Sequence, residues 1–152
     1  EEPEMCVRLR ALGWEIWRID AEMTLHDAAM TRFGQYWQRT RRAGHAWAEG
    51  AAMHGAPPER HGVRGLVRAL GWGLALPLVA LLGWALAGPW ALLILLAYPL
   101  QIARMARKAG GGRHAWTRAA LTMLGKLAEA QGALDYAWRR LTRGQPRLIE
   151  YK

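Results

Sequence analysis

The sequence predicts a mainly α chain: an amphipathic interface helix, then a transmembrane helical hairpin, then a C-terminal amphipathic helix. Three observations predict it. No charged residue occurs from Ala69 to Ala103, a run of 35. The pair Gly88-Pro89 interrupts that run near its middle. On either side of the run, aromatic and aliphatic residues recur at helical spacing among arginines.

The apolar run is too long for one span. As a single helix it would extend about 52 Å, against a hydrocarbon core about 30 Å thick. Broken at Gly88-Pro89, it gives Ala69 to Ala87, about 28 Å as an α-helix. The other arm, Pro89 to Ala103, is short unless Arg104 and its neighbours snorkel. A tight hairpin over residues 69–104, spanning or re-entrant, is therefore expected, with Pro77 and Pro99 kinking its arms. Arg60, Arg64 and Arg68 precede it, and Arg104, Arg107 and Lys108 follow it. Two basic flanks place both ends on the cytoplasmic side. The competing reading, a hairpin buried in a large soluble core, suits the run less well, because few soluble helices are apolar on every face.

The other elements follow from local signals. Pro3 suits a helix start, and Glu1, Glu2 and Glu4 complement its dipole. Met5, Val7, Leu9 and Leu12 supply apolar surface, and Gly13 stops the helix. Trp14-Glu15-Ile16-Trp17-Arg18-Ile19 reads as a short strand. From about Ala28 to Glu49, Met30, Phe33, Trp37, Gly44 and Trp47 alternate with Arg32, Arg39, Arg41 and Arg42. This is the basic interface helix, with Phe33, Trp37 and Trp47 turned to headgroups or the hairpin. Residues 51–68, with Gly55, Pro57, Pro58 and Gly62, read as a loop. Within 109–152, Gly110-Gly111-Gly112 is a joint. Trp116, Ala120, Leu124, Leu127, Leu134, Trp138 and Leu141 then form a stripe on a helix lying on the membrane or on a neighbouring domain. Arg139, Arg140 and Arg143 suit its end, and Gly144 and Pro146 stop it.

Composition narrows the partners. The 152 residues carry a formal net charge of +9, which suits nucleic acid, anionic lipid or phosphorylated ligands. The charges cluster beside apolar segments, so membrane lipid is the expected partner and nucleic acid is not. The single cysteine, Cys6, excludes an intrachain disulfide. The acidic opening lacks the basic and apolar regions of a secretory signal, and the chain reads as starting inside a larger protein. There is no Walker loop, no GxGxxG and no CxxC pair. His26, His45, His54, His61 and His114 do not match a zinc spacing.

Acidic residues opening a helix are ordinarily dipole partners. Here Glu1-Glu2-Pro3-Glu4-Met5-Cys6-Val7-Arg8 resembles the acidic motif of family 2 glycosyltransferases: Glu-Asp, any residue, Asp or Glu, three residues, then Arg. Glu2 falls where Asp is usual. Gly13-Trp14 after the helix and His26 in Thr24-Leu25-His26-Asp27 are similar to the same family. Gln38-Arg39-Thr40-Arg41-Arg42 resembles the Gln-x-x-Arg-Trp motif of its membrane-bound synthases, with Arg42 in place of Trp. That departure speaks against a processive role.

The resemblance covers about the first fifty residues by motif and the remainder by layout. It implies that residues 1–50 end an α/β catalytic domain of the GT-A type, whose donor-binding half, with its Asp-x-Asp motif, is not in this sequence. It implies a nucleotide-sugar donor, a glycan or lipid-linked acceptor, and a divalent metal, Mg or Mn. The active site would face the cytoplasm at a bacterial inner membrane. An inverting transfer needs a base for the acceptor hydroxyl and compensation for the departing diphosphate. By resemblance Glu2 is the base and Glu1 supports the acceptor. His26 contacts metal or diphosphate, and Gln38, Arg41 and Arg42 hold the acceptor edge or diphosphate. The alternative is a non-catalytic two-helix membrane adaptor with basic amphipathic arms.

Overall fold

A computed structural model describes residues 2–17, 19–20 and 30–143. Among them the chain is helical, in the order α1 (Glu2–Ala11), α2 (Phe33–His54), α3 (Val63–Leu70), a π-helical turn (Gly71–Ala75), α4 (Leu76–Ala87), a 3₁₀ segment (Pro89–Leu96), α5 (Ala97–Lys108) and α6 (Arg113–Arg143). The short strand expected from Trp14 to Ile19 is not formed among the described residues. A strand needs a neighbour for its backbone groups, and no strand stands beside this segment among the described residues. Trp14, Trp17 and Ile19 are exposed. The loop expected over 51–68 is shorter, because α2 runs on to His54 and α3 begins at Val63.

The helix starts and stops have local causes. At the head of α2 the Gln35 side-chain oxygen accepts hydrogen bonds from the backbone N–H of Thr31 and Arg32, both 3.1 Å. That satisfies donors which the first helical turn leaves without partners. The chain reverses between α4 and the 3₁₀ segment at Gly88, whose φ of 87° lies in the region that side chains avoid. Pro89 then starts the second arm.

α6 is the centre of the packing. α2, α3, the π turn and α5 all lie against it, and the surface they share is built of small residues. Ala119, Ala128, Ala130 and Ala133 of α6 are buried, as are Ala48 of α2, Ala69 of α3 and Ala106 of α5. A Cβ on Gly44 would collide with the backbone of Glu129, and one on Gly132 with the carbonyl of Arg41. The backbones of α2 and α6 therefore touch. Where α2, α3 and α6 meet, Ala48, Ala133 and Tyr136 are joined by Leu66 and Leu70. The stripe from Trp116 to Leu141 is exposed along its whole length. It is the outer face of α6, and the inner face is the alanine and glycine one.

The hairpin consists of two helical arms, Val63–Ala87 and Pro89–Lys108, each long and apolar enough to cross a membrane. Their large side chains point outward: Leu82 is 59% exposed, Leu93 57%, Leu86 87% and Trp90 79%. The arms meet through small groups, with Gly83 against the Ala91 methyl. The 3₁₀ segment rises faster than an α-helix, which stretches Pro89 to Ala103 from about 22 Å to about 26 Å. That brings the arm predicted as short close to bilayer thickness.

Pro77 acts one turn before itself. In the π turn the Leu76 N–H bonds to the Gly71 carbonyl, so it is not available to Trp72. The next donor along the helix would be residue 77, and proline has none. The Tyr98 hydroxyl, from the other arm, donates to the Trp72 carbonyl instead. The two rings meet edge to face, 5.8 Å apart. The kink in one arm is thus the point at which the other is tied.

The close approach makes glycine substitutions discriminating. Gly34→Ala, in open space near the start of α2, is expected to raise stability by about 0.5–1 kcal/mol, the usual helical gain. Gly44→Ala has the same intrinsic gain but is expected to lower stability by about 1–3 kcal/mol, because α2 must move off α6. Thermal unfolding in detergent, followed by circular dichroism, checks both signs.

Candidate functional site

Glu1 and His26 lie outside the described residues, as does the side chain of Glu2, whose backbone opens α1. Glu4 lies in the first turn of α1. Its carboxylate pairs with Arg8 Nη2 at 3.0 Å and lies 2.9 Å from His54 Nε2. The hydrogen bond to His54, helped by the charge of Arg8, holds Glu4 below the ordinary carboxylate range. At the other end of α1, Arg10 forks onto Glu59, with Nε to Oε1 at 2.9 Å and Nη2 to Oε2 at 2.8 Å. That fork lowers the pKa of Glu59 and raises that of Arg10. Between these two ties Val7 is buried. α1 is therefore fastened to the end of α2 and to the loop that feeds the hairpin.

The Gln38–Arg42 turn is divided between two faces of α2. Gln38 and Arg42 are exposed and stack at i and i+4. Thr40 and Arg41 turn toward α6, where Arg41 pairs with Asp135 at 2.5 Å. Nearby, the Tyr36 hydroxyl lies over Gly125 and donates to the Leu121 carbonyl, 2.5 Å away. Burial pushes its pKa above 10.0, which keeps it a donor. Trp37 Nε1 donates to Gln131 Oε1 at 3.1 Å. One turn of α2 thus gathers Gln38, Arg41 and Arg42. The start of α1 sits at the far end of that helix: His54, which holds Glu4, is about 24 Å beyond Gln38. Among the described residues, the acidic turn and the Gln38–Arg42 turn do not share a pocket.

No three His, Cys, Asp or Glu side chains converge as metal ligands among the described residues. His26, the residue the resemblance links to the divalent metal, lies outside those residues, and no step is assigned to the metal.

The partners His54, Glu59, Glu129 and Asp135 were not singled out by the sequence reading, though a signal existed. From Arg60 to Ala128 the chain has no acidic residue. Glu129 and Asp135, the first acids after that stretch, are the ones that pair, with Lys126 and Arg41.

A groove of about 580 Å³ lies beside the base of the hairpin. Trp47, Arg60, Arg64, Arg68, Lys126 and Glu129 are among the residues that line it. The Trp47 ring is set by Gly65, where a Cβ would strike the indole.

Compared with known proteins, the chain matches no family model, no curated protein and no solved structure.

His45 sits in the α2–α6 interface, edge-on to Tyr136 at 5.2 Å and 88°. Burial lowers its pKa from 6.5. The unfolded chain then binds this proton more readily than the folded one, so stability falls as pH drops below about 6.5 and is steady above it. In His45→Gln that part of the pH dependence is expected to vanish. Melting temperatures of both proteins between pH 8 and pH 5 check it; parallel curves would contradict it.

Proposed function

We propose that this chain is the membrane-associated C-terminal part of a family 2 glycosyltransferase. The enzyme would move a sugar from a nucleotide-sugar donor to a membrane-associated or envelope-glycan acceptor, on the cytoplasmic face of a bacterial inner membrane. The observation that carries the reading is Glu1-Glu2-Pro3-Glu4 with Arg8 at the head of α1, a helix tied through Glu4 and Arg10 to the segment that leads into the apolar hairpin. The outward-facing leucines and tryptophans of the hairpin support its insertion in lipid.

The chemistry assigns different work to neighbouring acids. Glu2 takes the proton from the acceptor hydroxyl as that oxygen attacks the anomeric carbon. Glu1 orients the acceptor. Glu4 is ionised and occupied by Arg8 and His54, which makes it a positioning residue for the start of α1. Gln38 and Arg42 lie on the exposed face of α2 and are the proposed contacts for the acceptor edge or the diphosphate, while Arg41 holds α2 to α6 through Asp135. His26 remains the proposed contact for metal or diphosphate.

A second reading, the non-catalytic membrane adaptor, is favoured by one observation. Glu4 and Arg41 are both engaged in bonds within the chain, and the two motif turns stand apart along α2.

Substitution in the complete enzyme separates the two. Glu2→Gln keeps the shape and removes the proton acceptor, so transfer is expected to fall about a hundredfold or more with donor binding near normal. Glu4→Gln is expected to cost less. Near-normal turnover in Glu2→Gln would remove Glu2 as base. A severe loss confined to Glu4→Gln would move the role there. Absence of any transfer by the complete wild-type protein would favour the adaptor.

A further inference from the structure

We infer that the groove at the base of the hairpin is a binding site for the phosphate headgroup of an anionic membrane lipid, formed by Arg60, Arg64 and Arg68 beside Trp47. The inference rests on the membrane insertion proposed above and is independent of sugar transfer.

Charge bookkeeping within the groove is the first argument. Two acids line it, and each is already matched: Glu59 by the fork from Arg10, and Glu129 by Lys126 at 2.6 Å. Arg60, Arg64 and Arg68 form no ion pair among the described residues. Three guanidinium groups therefore line one groove with no carboxylate paired to them among the described residues. Guanidinium forks match phosphate oxygens in geometry as well as charge.

Position selects a lipid over a soluble phosphate. Arg64 and Arg68 stand at i and i+4 on α3, which continues directly into the first arm of the hairpin. The charge-free run starts at the residue after Arg68. A phosphate held by these side chains lies at headgroup depth. Further along the same arm, Leu78, Val79 and Leu82 of α4 are exposed and would meet acyl chains. Trp47 supplies the amphipathic ring that favours this depth.

The test uses the full chain in detergent. Native mass spectrometry measures retention of phosphatidylglycerol against phosphatidylcholine, and flotation with liposomes scores insertion separately. The wild type is expected to retain phosphatidylglycerol preferentially. Arg64→Gln with Arg68→Gln is expected to reduce that preference roughly tenfold or more. The control pair Arg113→Gln with Arg118→Gln, which removes equal charge elsewhere, is expected to change it little. Equal losses in the two pairs would overturn the site in favour of diffuse attraction. Should the glutamine pair fail to fold, Arg64→Lys with Arg68→Lys decides: it keeps the charge, and undiminished preference would overturn the forked contact. Displacement of the lipid by millimolar glycerol phosphate would reassign the groove to a soluble ligand. A chain that does not float with liposomes refutes the insertion reading, whereas one that floats without headgroup preference refutes only the lipid site.

Discussion

Glycine at positions 44 and 132 lets the backbones of α2 and α6 touch, and α3, the π turn and α5 pack on the α6 held by that contact. Each glycine faces backbone of the other helix, Gly44 against Glu129 and Gly132 against Arg41. At these two points no side chain separates the helices, so dispersion between close-packed backbones replaces large side chains there. The same logic repeats where the hairpin joins, since Gly73 in the π turn lies against the backbone of Lys126. Ala69 and Ala106, at the bases of the two arms, are wholly buried. A bundle closed in this way has no need of its leucines and tryptophans inside, and leaves them on the surface. In water that distribution would be a liability; at a bilayer it is the expected one.

The hairpin applies the same constraint with a different device. Backbone groups within lipid must find partners inside the protein. Pro77 removes a donor, and the π turn diverts Leu76 to Gly71, so the Trp72 carbonyl depends on Tyr98. A break that would loosen a single helix here joins two. The 3₁₀ course of Pro89–Leu96 lengthens the shorter arm without adding residues.

The sequence carried more of this than its lack of matches suggests, and it failed in instructive places. Gly88-Pro89 was legible as a break because glycine and proline act locally. Pro77 was legible as a disturbance, but its form, a π turn satisfied from the other arm, depends on tertiary contact. Periodicity found the outer stripe of α6 because large residues dominate such patterns. It overlooked the inner stripe of Ala119, Ala128 and Ala133, since alanine carries little hydropathic signal. Trp14 to Ile19 had strand composition, but among the described residues there is no partner strand, and composition alone does not supply one. For the candidate site, Glu4, Arg41 and Arg42 were read from motif spacing. Linear spacing held no information that Arg41 would turn to Asp135, or that α1 would fasten at the His54 end of α2.

These features meet in one proposal: the two arms enter a bilayer together, and both basic bases return to the same face, where α2 and α6 would lie. The most direct measurement is sided labelling of single cysteines at Arg64 and Arg107, in a Cys6→Ser background, with an impermeant maleimide applied to membrane vesicles of known orientation. Both positions are expected to react from the cytoplasmic side alone. Reaction of one from each side would show a single crossing and contradict the hairpin.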